Sequence, residues 1–335
     1  MNLSIIVPVY NSSRFLNSCL DTIMNELYGN DELILVNDGS TDNSLEICED
    51  YAKKDERIRI INNSNHGVSY SRNLGIDAAT KDFIMFVDSD DLLVKGWRLI
   101  INLIKEDNDI TYFSFQFKNQ QGLYTKEEIL DSIIGYSEKN NLIKYISGPC
   151  SKVYSINFLK KNKIYFNVNL INGEDLIFNI EVILHANSFE CISKSIYLYR
   201  FNTNSSSHTF IASFFTSNEE FLIQLEKILQ DNQIDMIKTR KYIYFSMVNS
   251  LYLLTNKYIY ATSQKEKQLI KEYIKKSSFI SSVKKYKIKL SIFNYKIFLA
   301  NLVMNGHVNF ALMINKWICF LRNKRKKNKL EMELI

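Results

Sequence analysis

The sequence predicts an α/β fold, a mostly parallel sheet flanked by helices, with a helical C-terminal region. Three observations predict it. Residues 3–7, 33–36 and 83–87 form apolar runs that do not alternate, as strands covered on both faces do. The stretches between them carry apolar residues at helical spacing. After Phe210 that rhythm stops, and Ile, Leu, Tyr, Phe and Lys recur at helical spacing alone. At 335 residues with 46% hydrophobic content, the chain has room for two parts. We place them at residues 1–210 and 211–335.

Each element has its own signal. Phe15, Cys19, Leu20 and Ile23 give the first helix, and Leu45, Cys48 and Ala52 the second. A short strand is predicted over 58–61 and a helix over 68–79, which completes a βαβα order and an open sheet. Leu176, Ile177, Ile180, Ile183 and Leu184 predict a helix that begins near Asp175, with Gly173 allowing a tight entry. Tyr197 and Tyr199 alternate with apolar residues, as a strand would. Helices are predicted over 211–229, 238–254 and 265–276, the last introduced by Thr262-Ser263-Gln264.

Open α/β sheets bind ligands beyond the carboxyl ends of their strands. Here those ends are polar: Pro8-Val9-Tyr10-Asn11, Asn37-Asp38-Gly39-Ser40 and Asp88-Ser89-Asp90-Asp91. The fold therefore gathers Asp38, Asp88 and Asp90 around one crevice. Close carboxylates repel, and a divalent cation or a hydrogen-bonding ligand relieves the repulsion. Asp42 reads instead as a turn and helix-cap residue.

Four motifs occur in order: S-I-I-V-P-V-Y-N at 4–11, V-N-D-G-S-T-D-N-S at 36–44, G-V-S-Y-S-R-N-L-G-I at 67–76 and F-V-D-S-D-D at 86–91. Together they resemble glycosyltransferase family 2, inverting enzymes of the GT-A fold. The resemblance is strong over about the first hundred residues and continues more weakly to about Thr209. It implies that Pro8 and Tyr10 frame the base of a nucleotide-sugar and that Asp38 accepts a hydrogen bond from uracil. Arg72 would meet the base or the pyrophosphate, where its planar fork fits phosphate oxygens. Asp88 would hold the ribose and share with Asp90 the binding of Mn²⁺ or Mg²⁺, and Asp91 would support the cation or touch the sugar.

Asn172-Gly173-Glu174-Asp175 matches the family's E-D motif. The resemblance makes Asp175 the base that deprotonates the acceptor hydroxyl, while Glu174 orients the acceptor or shares that work. A carboxylate in a first helical turn is also favoured by the free N–H groups there. Ser151-Lys152-Val153-Tyr154 resembles a segment of many relatives, in which Lys152 is either a phosphate ligand or a surface lysine. Tyr197-Leu198-Tyr199-Arg200 and Asn204 to His208 resemble the family's Y-x-Y-R and serine-rich segments, with His208 a further candidate for metal or phosphate.

Other chemistries lack their motifs. No G-x-G-x-x-G follows a strand and no G-x-x-x-x-G-K-[ST] is present. The five cysteines are scattered and odd in number, which suits buried, reduced thiols in a cytoplasmic protein. The opening residues read as a strand, so we expect no signal segment there. From Tyr273 to Leu330 there are fourteen Lys or Arg and no Asp or Glu, against a net charge of only +6 overall. Phe310, Ala311, Met313, Ile314, Trp317, Ile318 and Leu321 precede the basic cluster that begins at Lys324. This pattern fits either an amphipathic helix on an anionic membrane or a core-packed helix with a basic tail. No nucleic-acid reading motif accompanies it.

These features lead us to expect a metal-dependent hexosyltransferase. It would move a sugar from a UDP-sugar to a glycan or lipid-linked oligosaccharide in capsule or other bacterial surface polysaccharide synthesis. It would act in the cytoplasm or peripherally on the inner face of the plasma membrane. The alternative is a nucleotide-sugar-binding scaffold without catalysis.

Overall fold

In the computed structural model, residues 1–114, 124–135, 148–200, 214–261, 263–275, 277–287 and 295–332 are described. They divide between two units, Met1–Asn202 and Thr203–Ile335.

The first unit runs β1 (Leu3–Val9), α1 (Ser13–Met24), β2 (Glu32–Asp38), α2 (Ser44–Ala52), β3 (Ile58–Asn63), α3 (Val68–Ala78) and β4 (Phe83–Phe86). It continues through β5 (Leu92–Leu93), α4 (Trp97–Ile101), β6 (Ile110–Phe113), α5 (Lys126–Ile134), β7 (Lys152–Ser155), α6 (Ile156–Lys161), α7 (Glu174–His185), β8 (Phe189–Ile192) and β9 (Tyr197–Leu198). Seven strands form one sheet in the order β3-β2-β1-β4-β7-β6-β8, and β5 pairs with β9 in a small second sheet. The β3-β2-β1-β4 half is parallel, whereas β7 runs antiparallel to both its neighbours. The sheet is therefore mixed.

The chain winds outward from β1 to β3 and then returns to the other side of β1 as β4. That reversal is a topological switch point, where the carboxyl ends of neighbouring strands diverge and leave a crevice. The register shows the divergence: the β1–β4 ladder ends at Ile6↔Phe86, but the β1–β2 ladder runs on to Val9↔Asn37. Pro8 lies past the last β4 partner, so its missing N–H breaks no bond on that side. Helix α3 packs onto β1 at Gly75, where any Cβ would collide with Ile6 Cγ2.

Sequence patterning missed α5, although its start carries a signal. Thr125 and Glu128 form a reciprocal capping box, and Gly135 closes the helix in the left-handed conformation.

The second unit contains α8 (Phe214–Asp231), α9 (Met236–Tyr260), α10 (Gln264–Lys275), α11 (Ser277–Tyr286), α12 (Tyr295–Met304) and α13 (Val308–Met332). Helix α9 is its centre, and the other five all pack against it. Tyr242 through Val248 are buried on consecutive positions of α9, because neighbours surround it. The helix predicted over 238–254 is longer than expected, and α11 and α12 were not predicted.

Candidate active site

The crevice is built from three strand ends and two helix starts of the first unit. Asp38 closes β2, and both its oxygens are occupied: His66 N donates to Oδ1 at 2.9 Å and Gly67 N to Oδ2 at 2.8 Å. The carboxylate thus fixes the loop that leads into α3. Tyr10 stands half exposed just past β1. Asn11 beside it adopts φ 46° and accepts a 2.8 Å bond from Thr41 N. Asp42 lies just before the N-cap of α2, and its two oxygens accept from Ser13 N and Ser44 N, the first residues of α1 and α2, at 3.0 Å each.

Arg72 is the hinge of the site. It lies buried on α3, with Nη2 donating to Asp88 Oδ1 at 3.0 Å and Nη1 to Asp175 Oδ1 at 2.6 Å. Its guanidinium rests over the Phe166 ring at 5.1 Å, and Phe166 stacks on Phe178 at 3.9 Å. Burial works against the charge of Arg72, but Asp175 and Asp88 outweigh it and hold the group firmly protonated. One cation of α3 therefore joins the loop after β4 to the first turn of α7, and its partner Asp175 lies 103 residues further along the chain.

Helix α7 starts where the sequence placed it, and its Gly173 N-cap sits at φ 86°, a left-handed conformation that suits glycine. A third of the Asp175 side chain reaches solvent. The surrounding protein raises its carboxyl above the ordinary range while Arg72 opposes the rise. Glu174 is pushed up to about 8, first by burial and then by Asp175 beside it. Asn179 donates to the Asp175 carbonyl at 2.8 Å and accepts from Tyr154 Oη at 3.3 Å, which ties the turn to β7.

The D-S-D-D loop is held by the segment around β9. Tyr197 Oη donates to Asp91 Oδ2 at 2.8 Å and accepts from Asp88 N at 3.1 Å. Arg200 donates from its backbone N to Asp91 Oδ1 at 2.8 Å and from Nε to the Asp90 carbonyl at 2.5 Å. It also reaches the Phe15 carbonyl at 2.9 Å and the Ser18 hydroxyl. Asp91 is buried and pushed up to about 6 by that burial, against the pull of the bonds from Arg200 and Tyr197. Its oxygens face the protein. Asp88 and Asp90 remain partly exposed.

Lys152 is not the surface lysine that was one of its two expected situations. It is buried in β7, with its ammonium on the carbonyls of Gly148 and Cys150 and 5.7 Å from the centre of the Tyr112 ring. Burial lowers it to about 7. His208 lies outside the described residues.

Two groups were invisible in sequence. Asn73 exchanges a pair of 2.8 Å bonds with the backbone of Phe166, and Phe166 itself supports Arg72. No spacing signal links residues ninety positions apart.

Asp88 and Asp90 offer hard carboxylate oxygens, the donor type that Mg²⁺ and Mn²⁺ take while keeping positions for phosphate. Among the described residues, no three His, Cys, Asp or Glu side chains converge. The donor set fits a cation held by one or two carboxylates and completed by a ligand.

Residues 4–164 match the family model described as Glycosyl transferase family 2. The uncharacterized glycosyltransferase EpsJ of Bacillus subtilis (strain 168) is 32% identical over 213 residues, 61% of this chain and 62% of that protein. The poly(ribitol-phosphate) beta-N-acetylglucosaminyltransferase TarS of Staphylococcus aureus (strain MW2) is 28% identical over 203 residues, 59% of this chain and 35% of that protein. The chain thus spans under two thirds of either relative. The crystal structure of S. aureus TarS 1-349 in complex with UDP-GlcNAc superposes with a TM-score of 0.66 and 21% identity, covering 94% of this chain and 91% of that one. At that identity the likeness is one of fold, the GT-A fold with helices following it.

Proposed function

We propose, from the match of residues 4–164 to the model of glycosyltransferase family 2, that the chain transfers a sugar with inversion from a nucleotide-sugar, a UDP-sugar first among candidates. The acceptor is a hydroxyl of a glycan or lipid-linked oligosaccharide in surface polysaccharide synthesis, reached at the cytoplasmic face of the plasma membrane. Residues 1–210 carry the reaction and 211–335 form the helical region. The observation that supports this reading is the Asp88–Arg72–Asp175 bridge, which ties the first turn of α7 to the loop after β4.

In this reading Pro8 and Tyr10 frame the nucleobase, and Asp38 meets it with the lone pairs its loop leaves over. Asp88 serves the ribose and, with Asp90, the cation. That cation, when bound, neutralises charge on the departing diphosphate. Asp91, Tyr197 and Arg200 hold the loop that presents Asp88 and Asp90. Lys152 braces residues 148–150 from within.

The acceptor oxygen attacks the anomeric carbon as its proton passes to Asp175 and the bond from that carbon to the phosphate oxygen breaks. The nucleoside diphosphate leaves, and the configuration inverts. A diphosphate beside Arg72 competes with Asp175 for the guanidinium, so donor binding loosens the pair that opposes the basicity of Asp175. Glu174 positions the acceptor.

Thermal shift with UDP, GDP, CDP and their sugars, with and without Mn²⁺, tests the donor, since a ligand that binds only the folded state raises its stability. We expect a shift with one nucleotide class, larger with Mn²⁺ and lost in Asp90→Asn. Turnover is then read as release of the nucleoside diphosphate. Binding without any release, across donors and acceptors, would favour the scaffold.

A further inference from the structure

Helix α13 carries apolar residues on two opposite sides. Ala311, Leu312 and Asn315 are buried against the helical unit. The buried Asn315 donates to Thr255 Oγ1 at 2.8 Å and Asn256 Oδ1 at 2.9 Å, which fixes the rotation of α13 against α9. At about 100° per residue, Phe310, Met313, Trp317 and Phe320 then fall on the far side of the helix. They are 49%, 60%, 63% and 64% exposed. Three aromatic rings and a methionine thus form one open stripe about 15 Å long.

A stripe of that kind on a monomeric surface marks a contact site. Charge indicates what covers it. The sequence from Tyr273 to Leu330 holds fourteen Lys or Arg and no acid, and six of those bases fall between Arg322 and Lys329, directly after the stripe on the same helix. Aromatic residues at one level followed by a dense cationic segment match the layered chemistry of an anionic lipid surface, with acyl chains and headgroup boundary beneath phosphate. No helix among the described residues is long and apolar enough to cross a membrane.

We propose that α13 lies in the interface of an anionic lipid membrane, with Phe310, Met313, Trp317 and Phe320 inserted and the basic segment on the phosphates. This surface is independent of the catalytic reading, and its test does not use turnover.

The full-length protein is floated with vesicles of phosphatidylcholine alone and of phosphatidylcholine mixed with phosphatidylglycerol, at low and high salt. Flotation is expected only with the anionic vesicles and is expected to weaken with salt. Trp97 is buried and Trp317 exposed, so brominated lipid should quench Trp317 in the bound protein. Trp317→Tyr should keep most binding and lose the quenching. Replacing Trp317 and Phe320 by serine should lower vesicle partitioning roughly tenfold or more, from lost apolar burial, with the melting temperature unchanged. Absence of flotation at low salt would overturn the proposal. So would flotation without quenching, since the stripe would then not insert. Self-association by light scattering that the serine variant abolishes, without vesicle binding, would assign the stripe to a second copy instead.

Discussion

The two units solve opposite problems with their side chains. In Met1–Asn202 the informative residues are polar, lie at strand ends, and are almost all committed to one another. Asp38 holds a loop, Asp91 is held by Tyr197 and Arg200, and Arg72 holds Asp88 and Asp175. In Thr203–Ile335 the informative residues are apolar, and what distinguishes them is whether anything covers them. Tyr242 through Val248 are enclosed, while Phe310, Met313, Trp317 and Phe320 are open. The first arrangement preorganises polar groups at one crevice and the second leaves a surface open. Preorganised polar groups support chemistry because their reorganisation cost was met on folding. An open apolar stripe promises only contact.

That contrast breaks most sharply at Asp175. Asp175→Asn should keep donor binding, measured by calorimetry, and lower turnover by about 10² to 10⁴-fold, the usual worth of a positioned base. A near-wild-type kcat would move the role to Glu174.

Packing gives the next effect. Gly75→Ala drives a methyl into Ile6 where α3 meets β1. We expect a loss of about 1–3 kcal/mol in chemical denaturation, the cost of overpacking a close contact. An unchanged midpoint would mean that α3 can withdraw from the sheet without penalty.

Lys152 sharpens the comparison through pH. Its folded-state value falls to about 7 from 10.5. The unfolded chain therefore binds more protons between those values, and wild-type stability rises with pH across that window. Relative to Lys152→Met, wild type should gain at most about 1.4 kcal/mol per pH unit between 7 and 9. A gap that stays constant with pH would show that the ammonium keeps its charge inside.

A smaller effect is expected at Asp38. Asp38→Ala should weaken UDP more than a pyrophosphate analogue, by on the order of 1 kcal/mol for a lost hydrogen bond. Equal losses would confine Asp38 to bracing His66 and Gly67.

The smallest belongs to the second unit. Trp317→Ser should change folding stability by no more than about 0.5 kcal/mol, as exposed substitutions do. A larger loss would mean that the stripe is packed in solution.

Much of the first unit was written in local order. Strands β1 to β4, helix α3 and the start of α7 follow from apolar runs, glycine and acid at fixed offsets, all of which act within a few residues. The sequence alone also determined which strand ends are polar, and hence where the crevice lies. It could not determine how those polar groups pair. Arg72 meets Asp175, Asn73 meets Phe166 and Arg200 meets Asp91 across about a hundred residues each, and such contacts exist only once the sheet has closed. Nor could it show that Lys152 points inward, since a lone lysine in an apolar strand reads the same on either face. In α13, helical spacing shows that apolar residues share a side, but it is blind to which side has a neighbour. Periodicity is a property of one helix. Burial is a property of two, and the bond from Asn315 of α13 to Thr255 of α9 is what decided it.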